Sequence, residues 1–229
     1  MKKIMWIISF ISLAGTAIVI QFLQEKVPMH FGMDGSIDRW GSKYETLVLP
    51  LIIIITSLMM HLLIGYFEKK AQNGVEEKDR ESARSNAKVI GIAGVLTAAM
   101  FTVMQGYILY TAFNTGKDSL RNVSSDMGKI SYISIGVVMI IMGNFMTKTR
   151  INSAIGVRVS WSMYNDNTWR KSNHFGAIVS IVTGILIILT SAFLNFTGAT
   201  IATIGLITLS MIIILIYAHK VYVEEIASQ

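Results

Sequence analysis

Leu47-Val48-Leu49-Pro50-Leu51-Ile52-Ile53-Ile54-Ile55-Thr56-Ser57-Leu58-Met59-Met60-His61-Leu62-Leu63-Ile64-Gly65-Tyr66-Phe67 runs for 21 residues without one Asp, Glu, Lys or Arg. A helix of about 20 such residues is what crosses the hydrocarbon core of a bilayer. Five other uncharged apolar runs qualify, at residues 4–23, 89–113, 130–147, 175–196 and 199–218. The sequence therefore predicts an all-α polytopic integral membrane protein with six transmembrane helices. The last two runs are separated by little more than Thr197-Gly198, which implies a tight helical hairpin.

Composition agrees with that reading. Of the 229 residues, 52% are hydrophobic and 15% charged, with a mean hydropathy of +0.54. Soluble domains carry roughly 25% charged residues. The net charge of +6 would point toward nucleic acid in a soluble protein. On this apolar background it reports membrane topology instead, and no nucleic-acid partner is expected. The absence of cysteine excludes disulfides, thiolate metal ligands and thiol nucleophiles. Met1-Lys2-Lys3 before an apolar run resembles a secretory leader. The run continues through Ile18-Val19-Ile20 to Leu23 without a polar cleavage region, so the first span is read as an uncleaved anchor.

The basic residues set the orientation. One side of the six-span arrangement holds Lys2, Lys3, Lys69, Lys70, Lys78, Arg80, Arg84, Lys88, Lys148, Arg150, Arg158, Arg170, Lys171 and Lys220. The other holds only Lys26, Arg39, Lys43, Lys117, Arg121 and Lys129. Positive loops stay inside, which predicts both termini in the cytoplasm, N-in/C-in.

On that orientation the loop at 24–46 faces outward. Pro28 favours an extended residue before it, Asp34-Gly35 marks a turn, and Ser42 with Glu45 forms the capping-box pattern that starts a helix. Pro50 either kinks the second span or sits in its first turn. His30, Asp34 and Asp38 would share a face and bind metal only if the segment were helical; Pro28 and the glycines favour a turn-rich loop without a metal site. Phe31, Met33, Ile37 and Trp40 either pack on the span ends or form a contact surface for a partner.

The loop at 68–88 carries Glu76-Glu77-Lys78-Asp79-Arg80, read as a solvated face with Glu76 and Arg80 paired four residues apart. In the loop at 148–174, apolar residues at 155, 157, 159, 161 and 163 alternate with Gly156, Arg158, Ser160 and Ser162. That period of two predicts an extended segment along the membrane interface, with Trp161 and Trp169 at headgroup level. Asp166, Asn167 or Thr168 would cap the helix that follows. Arg158 is expected at lipid phosphates or backbone carbonyls, with a partner protein as the alternative, and His174 as a cap or tether beside the fifth span. Gln105 and His61 lie within spans and are read as interhelical hydrogen-bonding groups; Gly91, Gly94, Gly106, Gly136 and Gly143 are read as close-packing points.

Asn152, Ile155-Gly156-Val157-Arg158, Trp161-Ser162, Trp169 and His174 together resemble the signature of SdpI-type immunity proteins. Pro28, His30-Phe31, Gly35, Asp38 and Gly41-Ser42-Lys43 resemble the domain that often precedes that module. Ser160 stands where the family usually has a proline. The resemblance implies two modules: residues 1–88 with two spans and the outer-loop motif, and residues 89–229 as a four-span SdpI-like unit. It implies a protein of the bacterial cytoplasmic membrane that protects against a secreted, membrane-active toxin of the SdpC type. A cytoplasmic transcriptional regulator is the second partner it suggests. The implied activity is non-enzymatic and uses no cofactor.

A small transporter or toxin exporter is the alternative. Such proteins commonly place ionisable residues or broken helices near the midplane, and no apolar run here holds a carboxylate or lysine. For an intramembrane enzyme the sequence offers no His-Glu-x-x-His, Gly-x-Ser-x-Gly or phosphate-binding glycine loop.

Overall fold

The structure is a computed structural model that describes residues 1–31, 37–114, 123–147, 151 and 156–228, with backbone alone at 31 and 123–126. Asp34, Gly35 and Asn152 of the predicted motifs lie outside the described residues, as does most of the loop at 114–128.

Six helices dominate: α1 (Lys2–Val19), α2 (Val48–Asn73), α3 (Glu77–Phe113), α4 (Val123–Met146), α5 (Asp166–Phe193) and α6 (Phe196–Ala227). All six are long and apolar enough to cross a membrane. Their burial pattern is the reverse of a water-soluble bundle. Helix α1 buries Met5, Ser9, Ser12 and Thr16 against its neighbours and exposes Ile4, Ile7, Phe10, Ile11 and Ile18. Lipid tails are as apolar as isoleucine, so these outward faces cost nothing in a bilayer, while hydroxyls and small residues gain from packing inside.

Helix α1 packs on α2 and α3. Ser9 Oγ and Ser57 Oγ lie 2.8 Å apart across α1 and α2. Trp6 Nε1 donates to His61 Nδ1 at 3.1 Å, which leaves this ring nitrogen as an acceptor. Gln105 Nε2 donates to Thr16 Oγ1 at 3.1 Å and to the Thr46 carbonyl at 3.0 Å, joining α3, α1 and the entry to α2. Both intramembrane polar residues thus make the helix-to-helix bonds expected of them.

Helices α4 and α5 approach to backbone contact. A Cβ on Gly136 would lie 2.6 Å from the Gly184 carbonyl, and one on Gly184 the same distance from that of Gly136. Gly143 faces the Ala177 carbonyl in the same way, while Gly91 and Gly94 make room for Met1 and Met5. Gly106, expected to be a packing point, has nothing within 4 Å of where a Cβ would stand.

The helix boundaries refine the sequence reading. The turn between the last two spans is Leu194-Asn195, not Thr197-Gly198. Asn195 caps α6 by accepting from Gly198 N–H at 2.8 Å, which draws Thr197 and Gly198 into its first turn. Helix α5 starts at Asp166, within a residue or two of the expected cap, and carries Trp169 and His174 in its first turns. Helix α3 has 37 residues, about 55 Å at 1.5 Å per residue, and runs uninterrupted through positions 88 and 89. Its first turns therefore project past an apolar core of about 30 Å. There Arg80 pairs with Glu77 at 2.6 Å, one position nearer than the expected Glu76.

Two strands interrupt the helical pattern, β1 (Lys26–Phe31) and β2 (Ile37–Ser42), paired antiparallel. The connection expected to be a turn-rich loop therefore has flanks zipped into a hairpin. A 3₁₀ segment, Lys43–Leu47, leads from it into α2. Pro50 falls in the first turn of α2, where its missing N–H removes no helical bond.

Candidate functional site

At the hairpin end, register rather than alternation places the side chains. Pro28 pairs with Trp40, His30 with Arg39 and Phe31 with Ile37, so the ladder shifts on both sides of His30 and leaves Met29 and Asp38 without a paired residue opposite. Pro28 donates no ladder hydrogen bond, a local reason for the break beside it. The shift brings His30 Nδ1 within 2.6 Å of Asp38 Oδ1 on the exposed side of the hairpin. His30 and Asp38, weighed as metal ligands, are thus each other's partner.

The hairpin is tied down underneath. Val27 is fully buried among Ile20, Leu23 and Ala112, with Met29, Leu47 and Leu109 around them. Pro28 is buried beside it. Glu45 does two jobs: one oxygen accepts the Ser42 N–H at 3.0 Å and the other meets Arg39 Nη2 at 2.6 Å. Ser42 Oγ accepts from Tyr44 N–H, completing the predicted capping box. Lys43 ties back to Glu25 through its side chain at 2.9 Å and its backbone N–H at 3.1 Å. A Cβ on Gly41 would run into Glu45 and Met29, so only glycine lets the strand lie this close. Above this base, Trp40 remains 49% exposed. Of the two positions of the predicted contact surface whose side chains are described, Ile37 is half-buried and Trp40 is the one presented.

The second motif lies at the other end of the bundle. Ser82 Oγ donates to the Ile151 carbonyl at 3.2 Å, joining the start of α3 to the segment after α4. Among the described residues of the alternating stretch, 156–163, none forms a strand. Val157 and Arg158 have no regular structure, and the chain then turns, with Met163 N–H bonding the Val159 carbonyl at 3.1 Å. Side chains take the backbone bonds a neighbouring strand would have taken. Ser162 Oγ donates toward the Val157 and Val159 carbonyls and stands 3.3 Å from the Val159 N–H. Asn173 Oδ1 accepts the Val157 N–H at 2.9 Å, and its Nδ2 donates to the Trp169 carbonyl at 3.0 Å.

Gly156 takes φ +125° against this knot, where a Cβ would collide with Asn173 Oδ1 and the Trp169 ring. Trp169 is only 2% exposed, so it packs inside the protein. Trp161 meets His219 of α6 edge-on, with centroids 4.9 Å apart. The cap of α5 is Asn165, one residue before the expected set. Its side chain accepts from Thr168 N–H at 2.8 Å, and Thr168 Oγ1 accepts from Asn165 N–H at 3.0 Å. Arg158 and His174 are both exposed and stand outside the knot.

Asn173, His219 and Glu225 were missed by sequence reasoning. Glu225 Oε1 accepts from Asn165 Nδ2 at 2.8 Å and Oε2 from Asn167 Nδ2, so the last turns of α6 latch the start of α5. The Asn165-x-x-Thr168 spacing is a readable capping pattern. His219 and Glu225 lie more than 50 residues from their partners and leave no local signal.

Six apolar helices with a folded hairpin at one end and a polar knot at the other define a multi-pass α-helical membrane protein. Residues 148–218, which contain the knot, match the SdpI/YfhL protein family, and residues 7–54, which contain the hairpin, match a domain of unknown function (DUF1648). The chain is similar to "Immunity protein SdpI" of Bacillus subtilis (strain 168), with 23% identity over 226 residues, 97% of each chain. These findings establish the likeness to SdpI-type proteins and a place in the bacterial cytoplasmic membrane. No solved structure matches.

Proposed function

We propose that this protein is a membrane immunity protein that protects its bacterium against a secreted, membrane-active toxin of the SdpC type, by binding and without catalysis. The observation that carries the reading is the similarity to "Immunity protein SdpI" along almost the whole of both chains. Both motif-bearing ends fall within it. The hairpin supports a binding role: it is anchored through Val27 and Glu45 and presents Trp40, Arg39 and the His30–Asp38 pair outward. Aromatic and arginine side chains on a rigid base are the groups that dominate protein recognition. In the proposed N-in/C-in orientation this face meets the toxin before it enters the bilayer.

Expression in a toxin-sensitive bacterium, followed by challenge with SdpC-type toxins, tests the proposal. Protection should be conferred by the wild type and lost in Trp40→Ala at equal membrane abundance. Survival unchanged by expression, whatever the toxin, would refute it.

The opposite end supports a second role, recruitment of a cytoplasmic regulator. Arg158, Met163 and Tyr164 are exposed around a turn that Ser162 and Asn173 hold rigid. The double variant Arg158→Ala, Trp161→Ala should then insert normally yet fail to retain the regulator at the membrane. Retention by that variant would exclude the turn as the docking site.

A further inference from the structure

A cavity of about 700 Å³ opens between the start of α1, the end of α2 and the first turns of α3, on the end away from the hairpin. We propose that it binds the phosphate of an anionic phospholipid headgroup.

Charge is the first argument. Lys2, Lys3, Arg80, Arg84 and Lys88 line the cavity against a single carboxylate, Glu68. That carboxylate is already matched by Lys2 at 2.5 Å. Arg80 uses Nη2 on Glu77, outside the lining, and its Nε is buried with no hydrogen-bond partner. Lys3, Arg84 and Lys88 make no ion pair among the described residues. Arg80, Arg84 and Lys88 recur every four residues on α3, so like charges stack along one face, an unfavourable arrangement that an anion between them relieves.

Depth is the second argument. Glu68 is the first charged residue after the apolar run of α2, and Lys88 is the last before the apolar run of α3. Both mark the boundary where hydrocarbon gives way to headgroups. The lining continues toward the membrane with buried Ile64 and Gly91. A cationic rim over an apolar floor at that depth fits a lipid, whose phosphate and glycerol lie in that order. Basic pockets between membrane helices hold acidic headgroups by this combination of charge and position. A free phosphate would satisfy the rim and leave the floor unused.

The test uses the intact protein in phosphatidylcholine nanodiscs with and without phosphatidylglycerol. Phosphatidylglycerol should raise the wild-type unfolding temperature, and native mass spectrometry should show it retained on the protein. The Arg84→Gln, Lys88→Gln double variant should retain roughly thirtyfold less, what two interfacial charges of about 1 kcal/mol each contribute, and lose the thermal shift. Lys220→Gln, outside the cavity, should behave as wild type. If the double variant does not fold, Lys3→Gln on the facing wall gives the same reading. Equal retention by wild type and cavity variant overturns the proposal. A matching thermal shift from inorganic phosphate in pure phosphatidylcholine assigns the cavity to a soluble phosphate and overturns the lipid assignment.

Discussion

Gly156 is held at φ +125° by three contacts made by other residues: Trp169 beneath it, Asn173 beside it and Ser162 closing the turn that follows. A side chain there would meet both a backbone conformation that L-residues avoid and an occupied space, a combination that costs about 1–3 kcal/mol. Gly106 is the control, a helical glycine with open space around it. Gly156→Ala should lower the unfolding temperature in detergent, while Gly106→Ala should leave it unchanged or raise it slightly, since alanine is the better helix former by about 1 kcal/mol. Equal shifts in the two variants would mean that the knot carries no strain-sensitive packing. Asn173→Leu keeps the γ-branched shape yet leaves the Val157 N–H to find another partner, an expected loss of about 1–3 kcal/mol for an unmet buried group. That bond could not be read from the sequence. Asn173 is one of several polar residues in its region, and its role depends on a turn 16 residues earlier.

At the scale of elements, the two connections exchange the structures their patterns suggest. Residues 155–163 alternate as a strand would, yet the chain turns from Val159 on, because Ser162 and Asn173 supply the backbone partners. Residues 26–31 and 37–42 show no clean alternation, since Pro28, Gly41 and two register shifts break it, yet they pair as strands. A strand needs a partner before its periodicity means anything, and periodicity alone cannot show where the partner is. The spans were legible for the opposite reason. Hydrocarbon leaves a helix as the structure that satisfies its own backbone, so uncharged length was sufficient. The Ser42–Glu45 cap was legible too, because both halves lie within one turn. The hairpin should accordingly draw its stability from its base. His30–Asp38 is exposed, and such pairs contribute about 0–1 kcal/mol. Val27→Ser places a hydroxyl among Ile20, Leu23 and Ala112 and should cost about 1–3 kcal/mol. In detergent melts Asp38→Asn should match wild type while Val27→Ser falls. If Asp38→Asn abolished toxin protection without a melting change, the pair would belong to the recognition face rather than to the scaffold. A fall in its melting temperature equal to that of Val27→Ser would contradict this division.

For the whole molecule, the proposed orientation follows from where charge can go. The hairpin end carries few lysines and arginines, and Glu25 and Glu45 pair two of them, Lys43 and Arg39. The other end gathers both chain termini, the α2–α3 turn with its cationic cavity, and the SdpI-like knot. Translocating that second set would mean carrying many unpaired cations across the bilayer against a membrane potential that is negative inside. The cost is about 2.3 kcal/mol per charge for each 100 mV. The hairpin should therefore lie outside and the knot inside. The chain has no cysteine, so single cysteines report without background. Asp38→Cys on the exposed hairpin and Glu77→Cys at the exposed start of α3 stand at opposite ends of the bundle. In intact cells a membrane-impermeant maleimide should label Asp38→Cys at once and Glu77→Cys only after permeabilisation. The reverse pattern would invert the molecule, moving the hairpin out of reach of a secreted toxin and the knot out of reach of a cytoplasmic regulator. Labelling of both positions in intact cells would mean a mixed population. The charge asymmetry would then be too weak to set topology, and the toxin-facing reading of Trp40 would lose its physical basis.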